Sequence, residues 1–413
     1  MLAKVVARTS GTPNWRALQG FSTAQAVRLP HGGGWLMGLG AQQVVELDEP
    51  LAAFHALGRF CAGQPAPVFF QVAYAGPGLH PKLSGRAWPS MMAFVPKFIV
   101  RWTGDSATVE CSTNDRSEAE NLLAALQAQP TERAPSTHEW STPSRAAYLK
   151  SARRLMEHIQ RGDIYEVNYC VERSTTDPHF DPYGAFHRLD GRLQAAHAAF
   201  VKHDGRYALC QSPELFLSVR DGKAHGEPMK GTRPRHLDPA VDRQLAEELA
   251  RDPKERSENI MAVDVLRHDL SQVSVPGSVR VPDLCRVRTM PAVHQMISTV
   301  SAELLPGTGP VDVLRSCFPP ASMTGAPKMR AMELIDAAEG SERGLYSGTI
   351  GVLDADGSAH MNVVIRTLLF DRSTGRLSLS TGSALTAVCD PLKEWEECEV
   401  KARSVLDALY HGG

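Results

Sequence analysis

The sequence of 413 residues contains no long uninterrupted apolar run. A helix that crosses a membrane needs about 18 to 20 consecutive apolar residues, so no membrane-spanning helix is predicted. Residues 1–20 also lack the apolar core of a secretory signal peptide. An excess of charge of one sign is missing too, because 44 Lys and Arg face 46 Asp and Glu. This balance gives no electrostatic reason to expect a nucleic-acid or membrane partner.

Several common site motifs are absent as well. The sequence has no GxGxxG, no Walker loop and no GxSxG, which removes the usual signs of dinucleotide, nucleotide and serine-hydrolase sites. Its eight cysteines are scattered without a CxxC pair. That spacing favours reduced, buried thiols in a cytoplasmic protein over a disulfide framework or a structural zinc site.

The length fits two or three folding units of about 150 residues, or one unusually large one. With 43% hydrophobic residues, the chain can bury a full core. Proline and small polar residues gather at 129–144, where they neither extend a helix nor bury surface. We therefore predict an N-terminal part at 1–128, a linker at 129–144 and a catalytic part at 145–413.

Tight-turn signals between short apolar runs predict antiparallel hairpins. The predicted strands are 67–73, 91–102, 164–171, 215–220, 223–229, 347–353, 360–370 and 376–381. The predicted helices are 117–127, 145–160, 242–251, 252–270, 327–338 and 391–409. Because strands and helices come in blocks, the predicted class is α+β rather than a doubly wound parallel sheet.

Two predicted helices each carry a pair of glutamates three residues apart, Glu255 with Glu258 and Glu394 with Glu397. Lys401 lies one turn further along the second helix, on the same face. If the two faces meet, four carboxylates converge, and a hard divalent cation such as Mg²⁺ is their natural neutraliser. Either pair alone is more typical of a solvated helix surface.

Lys230 is predicted at the end of a hairpin strand, in Met229-Lys230-Gly231-Thr232. Desolvation beside Arg233 and Arg235 would lower the pKa of Lys230 and expose a nucleophilic amine, with Thr232 as a hydrogen-bond donor. A surface lysine in a basic turn is the ordinary alternative.

Glu214 opens the other strand of this hairpin, where apolar neighbours such as Leu215 would raise its pKa, as a general acid requires. Arg366, near the centre of a predicted strand, needs a carboxylate partner if it is buried. The loop 318–328 runs into a helix start and offers backbone N–H groups to a carboxylate or phosphate. An ordinary strand-initial glutamate and an ordinary capped helix start remain open alternatives.

Taken in chain order, several segments together resemble the chorismate-utilising enzymes, which include anthranilate, aminodeoxychorismate, isochorismate and salicylate synthases. The segments that carry the resemblance are 162–168, 212–216, Glu258-Asn259 with Asp264 and Asp269, 322–328, 346–348, and 381–384 with Glu394 and Glu397. They follow the family's order over roughly residues 148–409. Several separated segments in order are far more specific than any one of them.

The resemblance implies a large sandwich of antiparallel β-sheets surrounded by helices. It implies Mg²⁺ held by Glu258 and Glu397, with Glu255 and Glu394 behind them, and bridging to a carboxylate of chorismate. It also implies that Glu214 is the general acid for the departing 4-hydroxyl. The substrate-binding residues expected from it are Thr232, His294, Tyr346, Arg366, Gly382, Ser383 and Lys401, among which Tyr346, Arg366 and backbone groups of Gly382 and Ser383 would hold carboxylates.

The residue at position 230 distinguishes two members of the family, because anthranilate synthases typically have alanine there and aminodeoxychorismate synthases have lysine. The resemblance therefore implies that the lysine attacks C2 of chorismate as water leaves C4, and that ammonia then adds at C4. The expected product is 4-amino-4-deoxychorismate, for p-aminobenzoate and folate biosynthesis. Anthranilate synthase component I remains an alternative, as does a non-catalytic relative that only binds chorismate or an aromatic amino acid.

Glu166 stands where isochorismate and salicylate synthases carry a water-activating lysine, so the reaction of chorismate with water that those enzymes catalyse is not expected. Glu166 also replaces a common glutamine, and Pro320-Ala321 replaces a more usual Gly-Gly. The sequence contains no recognisable glutaminase or fused lyase segment. Ammonia is therefore expected from a separate glutamine amidotransferase subunit or from solution.

Overall fold

The structure is a computed structural model that describes residues 2–30, 33–74, 88–130, 138–290 and 293–410. In these ranges the strands are β1 (Leu2–Arg8), β2 (Thr23–Arg28), β3 (Trp35–Leu47), β4 (Val68–Val72), β5 (Met91–Trp102), β6 (Ser106–Ser112), β7 (Glu166–Thr176), β8 (Ala199–His203), β9 (Arg206–Cys210), β10 (Leu215–Arg220), β11 (Lys223–Gly226), β12 (Met229–Pro234), β13 (Arg280–Thr289), β14 (Val293–Glu303), β15 (Gly325–Ala326), β16 (Thr349–Leu353), β17 (Ala359–Asn362), β18 (Thr367–Asp371) and β19 (Arg376–Thr386).

The helices in the same ranges are α1 (Pro50–Cys61), α2 (Arg116–Gln127), α3 (Arg145–Gln160), α4 (Pro182–Leu193), α5 (Pro239–Arg251), α6 (Pro253–Ser271), α7 (Pro310–Cys317), α8 (Lys328–Ala338) and α9 (Pro391–Tyr410). Short 3₁₀ helices occur at Trp15–Gly20, Thr113–Asp115 and Ala321–Met323. Among the described residues, none of the helices combines the length and apolarity that crossing a membrane requires.

Strand β5 joins two antiparallel layers, because the two parts of one edge pair with different neighbours. Its first part pairs with β4 and its last part with β6, while its other edge follows β3. The first layer runs β1-β6-β5-β3-β2-β8-β9-β18-β19-β7-β15. The second runs β5-β4-β16-β17-β10-β11-β14, and β14 also pairs with β12 and β13.

An apolar cluster lies between the two layers, with Phe69 and Ile350 from the second layer against Val27 and Val201 from the first. Three further clusters bury the outer faces of the layers under helices. Helices α2, α4 and α9 cover the first layer, α1, α6 and α7 cover the second, and α3 and α8 pack on β7 and β19. The architecture is therefore the α+β sandwich that the sequence predicted.

The predicted hairpin around Asp221-Gly222 is present as β10 and β11, and both turn residues have positive φ angles of 50° and 69°. Two predicted strands are wrong as continuous elements. Residues 223–229 divide into β11 and the start of β12 at Pro228, which has no N–H to give to a ladder. Residues 360–370 divide into β17 and β18, because the chain crosses there from the second layer to the first.

The predicted linker at 129–144 lies partly outside the described residues. Its described end is held against the first layer, since Ser141 pairs with Ser174 of β7 and the Glu139 carbonyl accepts from Thr175 at 2.8 Å. Strands from both sides of this segment share the sheet, through the β2–β8 and β4–β16 pairs. The division into an N-terminal part, a linker and a catalytic part remains a prediction.

Candidate active site

The candidate site is built against one face of the β7–β19 pair. Residues that alternate along β7 share this face with their partners in the β19 register; the pairs are Glu166 with Thr386, Asn168 with Ala384 and Cys170 with Gly382. A glycine is required at 382, because a Cβ there would lie 2.5 Å from both the Asn168 Oδ1 and the Cys170 Sγ. The floor of the site is therefore fixed by close packing of two strands.

Lys230 lies inside β12, next to a glycine that interrupts the ladder. The register of β12 with β14 shifts between Lys230 and Thr232, and Gly231 has a φ of +72°, as in a β-bulge. The Lys230 ammonium donates to Glu166 Oε1 at 3.0 Å and lies 3.9 Å from Glu258 Oε2. The prediction that Lys230 ends a hairpin strand is wrong, since β12 continues to Pro234.

The charges around Lys230 differ from those predicted. Burial alone would lower the pKa of Lys230, but the two neighbouring carboxylates raise it instead. Arg233 and Arg235, expected beside the amine, pair with Asp252 at 2.8 Å and with Asp242 at 2.9 Å. The predicted low pKa is wrong for the resting protein, in which Lys230 is an ammonium ion.

Glu214 directly precedes β10 and is buried. Burial raises the pKa of Glu214 to about 7, although the Ser322 hydroxyl and the Lys230 ammonium act to lower it. Its N–H donates to Ser212 Oγ at 3.2 Å and its carbonyl accepts from the Val363 N–H at 3.1 Å, so the backbone is held on both sides. A carboxyl group with this pKa keeps a proton near neutral pH and can give it to a leaving group.

The glutamate faces of α6 and α9 approach each other, as their spacing predicted, and a lysine lies between them. Lys254 Nζ lies 2.8 Å from Glu394 Oε1, 3.4 Å from Glu258 Oε1 and 3.8 Å from Glu397 Oε2. Sequence reasoning did not include Lys254 in the site. Its position one turn before Glu258 on the same helix was the signal that could have found it.

The carboxylates on these two helices have shifted pKa values. Burial raises the pKa of Glu258 to about 7, against the effect of Lys230 and Lys254. Burial also raises the pKa of Glu255. Burial would raise the pKa of Glu397 too, but the ammonium of Lys401, 2.6 Å away, and the other two lysines lower it to about 2. Glu397 therefore stays ionised more readily than Glu255 and Glu258.

Gly382 and Ser383 have different environments. The N–H groups of Asn168 and Cys170 donate away from β19, to the Thr324 carbonyl and to a glutamate oxygen. Residues that face each other in an antiparallel ladder direct their N–H and C=O groups either both toward the partner strand or both away from it. Gly382 faces Cys170, so its backbone groups point away from β7, whereas those of Ser383 point toward β7. The Gly382 carbonyl accepts from Lys401 at 2.9 Å.

The register of β18 with β19 ends at Leu379, so the Gly382 N–H lies at an edge that β18 does not cover. Gly382 can therefore donate to a substrate carboxylate. In the same register the Ser383 N–H faces β7, and its expected contact with a substrate carboxylate remains a prediction. The Ser383 hydroxyl donates to Glu394.

The donor set fits a hard divalent cation. Five carboxylates, of Glu166, Glu255, Glu258, Glu394 and Glu397, lie among three ammonium groups, of Lys230, Lys254 and Lys401. When all are ionised, two negative charges are in excess. Glu258 Oε1 is buried yet accepts no hydrogen bond in the described part of the chain, and the Lys254 ammonium stands where a cation would contact three carboxylates.

A separate acidic group lies at the surface, where Glu46, His203 and Asp204 bring three possible ligand atoms within 4.8 Å of one another. Its atoms already have partners. His203 Nε2 lies 2.9 Å from Glu46, Arg206 donates to the same carboxylate at 2.9 Å, and Thr23 Oγ1 lies 3.0 Å from His203 Nδ1. We assign this group a structural role.

Arg366 lies at the end of the crossover between β17 and β18, so its predicted position inside a strand is wrong. Its φ of +50° is unusual for a residue other than glycine. Burial lowers the pKa of Arg366, and Glu214 is the charge that opposes this effect. Across the described ranges no side chain hydrogen-bonds or ion-pairs with the guanidinium. Such a group is suited to an anionic ligand.

Tyr346 is buried, and its hydroxyl lies 3.9 Å from Cys170 Sγ, on the face of β7 that carries Glu166. Burial raises the pKa of Tyr346, which keeps the hydroxyl protonated and able to donate. Its predicted contact with a substrate carboxylate remains a prediction.

Thr232 and His294 already have protein partners. The Thr232 hydroxyl donates to Gln295 Oε1 at 3.0 Å. The His294 ring lies 3.0 Å from Thr289 Oγ1 and 2.9 Å from Asp242 Oδ1. Neither side chain has a hydrogen bond or an ion pair, among the described residues, with the five glutamates of the site. Their contacts with substrate remain predictions.

A buried ion pair that sequence reasoning missed fixes three segments of the site. Arg343 binds Glu339 at 2.6 and 2.8 Å and donates to the carbonyls of Asn168 and Met323 and to Ser347 Oγ. These partners belong to β7, to the loop before α8 and to the turn before β16. No sequence signal marks Arg343, because one partner is 175 residues away in the chain.

The family model described as chorismate binding enzyme matches residues 35–407. The chain belongs to this family. The aminodeoxychorismate synthase component 1 of Klebsiella aerogenes is 38% identical to this chorismate binding enzyme over 304 residues, 73% of this chain and 67% of the relative. The anthranilate synthase component 1 of Haloferax volcanii is 37% identical over 268 residues, 64% of this chain and 51% of the relative.

The match covers 67% of the Klebsiella relative, and 36% and 60% of two further aminodeoxychorismate synthases, from Streptomyces griseus and Salmonella typhimurium. Among solved structures, the menaquinone-specific isochorismate synthase of Escherichia coli superposes with a TM-score of 0.80 at 18% identity. That superposition covers 100% of this chain and 95% of the other. The predicted family and the predicted sandwich fold are confirmed.

Proposed function

We propose that this chorismate binding enzyme aminates chorismate at C4 and yields 4-amino-4-deoxychorismate, which serves p-aminobenzoate and folate biosynthesis. The observation that carries the proposal is the Lys230 amine, whose side chain is 10% exposed. The amine reaches Glu166 at 3.0 Å and is close enough to Glu214 to lower the pKa of its carboxyl. The relative from Klebsiella aerogenes, named aminodeoxychorismate synthase component 1, supports it.

Substrate binding is assigned to groups that have no partner among the residues that the structure describes. The Arg366 guanidinium would hold one carboxylate of chorismate, and the Gly382 N–H would donate to another. Mg²⁺ would be held by Glu258 and Glu397, with Glu255 and Glu394 behind them, and would neutralise a substrate carboxylate. Magnesium dependence is part of the proposal.

The first step forms a bond from Lys230 Nζ to C2 and breaks the bond from C4 to its hydroxyl oxygen. Glu214 supplies the proton with which the hydroxyl leaves as water, since its pKa of about 7 keeps it protonated near neutral pH. Lys230 must first lose a proton, and Glu166 is the acceptor already hydrogen-bonded to it. Nζ loses a second proton once it is bonded to C2. One of the two protons passes on to the ionised Glu214 and the other to solvent, so Glu214 is protonated again, Glu166 is again a carboxylate and Nζ is a neutral secondary amine.

The second step forms a bond from ammonia to C4 and breaks the bond from Lys230 to C2. The two steps together convert chorismate and ammonia into the amine and water, and they return the lysine unchanged. Ammonia would come from a separate glutamine amidotransferase subunit or from solution. A cytoplasmic location, expected from the cysteine pattern, belongs to the same proposal.

Product analysis by mass spectrometry tests the proposal, after the protein is mixed with chorismate, Mg²⁺ and an ammonium salt. We expect a chorismate-derived amine without release of pyruvate. Lys230→Ala is expected to lose the amine and keep chorismate binding, whereas Lys223→Ala, which removes an exposed lysine of β11, keeps both.

Anthranilate synthase is the second candidate, because the Haloferax volcanii relative of that name is 37% identical to this chain. Anthranilate with pyruvate in the same assay would establish it and remove the nucleophilic role of Lys230. Binding of chorismate without turnover would instead favour a non-catalytic relative.

A further inference from the structure

Two buried oxygen atoms of the site accept no hydrogen bond anywhere in the described ranges. They are Glu166 Oε2 and Thr386 Oγ1, on residues that are 5% and 7% exposed. The two residues stand directly opposite each other in the β7–β19 register, so their side chains share one face, with Cβ atoms about 4.5–5.5 Å apart. Buried polar atoms are normally paired, so this position indicates a small polar ligand.

The chemistry of the two atoms selects a cation with several N–H donors. The other oxygen of the Glu166 carboxylate, Oε1, already binds a primary ammonium, that of Lys230, at 3.0 Å. A carboxylate and a hydroxyl oxygen can each accept a hydrogen bond from such a cation. Both residues are nearly fully buried, which favours a small ion over a larger cation. Ammonium satisfies all of these conditions.

We propose that Glu166 and Thr386 bind the ammonium ion that supplies the amino group, an inference that rests on the proposed function. In the covalent adduct, Lys230 Nζ is a secondary amine bonded to C2 and no longer gives Glu166 a primary ammonium. A free ammonium ion restores this ion pair. The site is therefore used twice, by Lys230 at rest and by ammonium in the second step.

The second step balances with ammonium as the reactant. The nitrogen of ammonium forms a bond to C4, the bond from Nζ to C2 breaks, and two protons pass from the ammonium nitrogen to Nζ. The products are the neutral amine and the Lys230 ammonium, so the charge beside Glu166 is the same before and after. The ion pair of Lys230 with Glu166 in the structure is the state that this step regenerates.

The position is close to the surface along the chain. Tyr165, which precedes Glu166, is 67% exposed, and Val388, two residues after Thr386, is 84% exposed. The two buried residues therefore lie next to exposed positions in the sequence.

Thr386→Val tests the proposal, because it removes the hydroxyl and keeps the shape of the side chain. Ammonium chloride is varied at saturating chorismate, fixed Mg²⁺ and fixed pH. We expect the KM for ammonium to rise about tenfold or more, as loss of a hydrogen bond to a charged group requires. Thr386→Ser, which keeps the hydroxyl, is expected to restore the KM, and Glu166→Gln, which removes the charge, to raise it.

A second readout separates this role from a structural one. The rate at which chorismate forms the Lys230 adduct without ammonium, followed by intact-protein mass, is expected to stay unchanged in Thr386→Val. The control Thr175→Val removes a hydroxyl from the far end of β7 and is expected to change neither quantity.

Three outcomes would overturn the inference. An unchanged KM for ammonium in both Thr386→Val and Glu166→Gln, with a wild-type enzyme that aminates, removes the site and leaves the proposed function intact. Adduct formation slowed as much as amination would mean that Thr386 is structural. A wild-type protein that forms no amine would remove the proposed function itself and this site with it.

Discussion

At the scale of single residues, the site places acidic groups in contrasting electrostatic environments. Glu214 lies in a buried position where a raised pKa keeps a proton available near neutral pH, whereas Glu397 lies beside Lys401 and stays ionised. One group can therefore act as an acid while the other holds negative charge for a cation. The two pKa values differ because folding buries Glu214 and places lysine side chains beside Glu397.

The pKa of Glu214 sets a pH dependence. A general acid must be protonated, so kcat/KM is expected to fall as the pH rises through the Glu214 pKa of about 7. Glu214→Gln is expected to lower kcat about 10²–10⁴-fold and to lose this alkaline decrease. A pH–rate profile checks both, and an unchanged profile in the variant would reject the acid role.

Arg343 is predicted to contribute to stability more than a surface arginine. Arg343→Met removes the positive charge that is paired with the buried Glu339 carboxylate, which is expected to lower the free energy of unfolding by about 3–5 kcal/mol. Arg330→Met, which removes an exposed pair with Glu333, is the control and is expected to cost less than about 1 kcal/mol. Urea unfolding measures the free energy of unfolding of both variants. Equal decreases in the two would contradict the prediction that Arg343 stabilises the protein more than a surface arginine does.

At the scale of elements, the bulge in β12 connects backbone geometry to Lys230, the proposed nucleophile. Gly231 adopts a left-handed conformation between Lys230 and the point where the ladder resumes. A Cβ at 231 would lie 2.9 Å from the Leu249 side chain and 3.0 Å from the Glu255 side chain. The glycine therefore serves both the turn of the strand and the close approach of α6.

Gly231→Ala is expected to destabilise the protein and to reduce amination together. The left-handed backbone costs about 1–2 kcal/mol for alanine, and the contacts with Leu249 and Glu255 add to it and displace Lys230. Gly277→Ala is the matched control, because Gly277 has a φ of +75° and open space around its Cβ position. Urea unfolding with kcat measurements checks this, and equal kcat values in the two variants would contradict it.

The carboxylates of α6 and α9 give a metal-binding prediction. Glu258→Gln is expected to raise the Mg²⁺ concentration needed for half-maximal activity and to lower activity at saturation, because one of the two proposed direct ligands loses its charge. Glu248→Gln changes an exposed glutamate of α5 and is the control. A magnesium titration that is the same for Glu258→Gln and the wild type would exclude Glu258 from the site.

At the scale of the whole molecule, local signals predicted the elements and long-range packing determined the rest. Asp221-Gly222 predicted a hairpin, and glutamates at a spacing of three predicted two helix faces that do approach each other. The interruption between β17 and β18, at the end of which Arg366 lies, could not be predicted from the sequence. It arises because the chain passes there from the second layer to the first.

The charges around Lys230 could not be predicted from its neighbours in the chain. Arg233 and Arg235 are adjacent in sequence, yet the groups that contact the amine come from β7 and α6. Sequence proximity thus predicted a lowered pKa, and the fold raised it. The role proposed for Thr386 could not be predicted for the same reason, because Thr386 and Glu166 are neighbours only in the register of the sheet.

The central claim is that Lys230 is a covalent nucleophile. Intact-protein and peptide mass spectrometry after incubation with chorismate and Mg²⁺, without ammonium, tests it most directly. The prediction is a mass increase equal to chorismate less one water, located on the peptide that contains Lys230 and lost when ammonium is added. Amination by the wild type with no adduct at Lys230, or undiminished amination by Lys230→Ala, would contradict it.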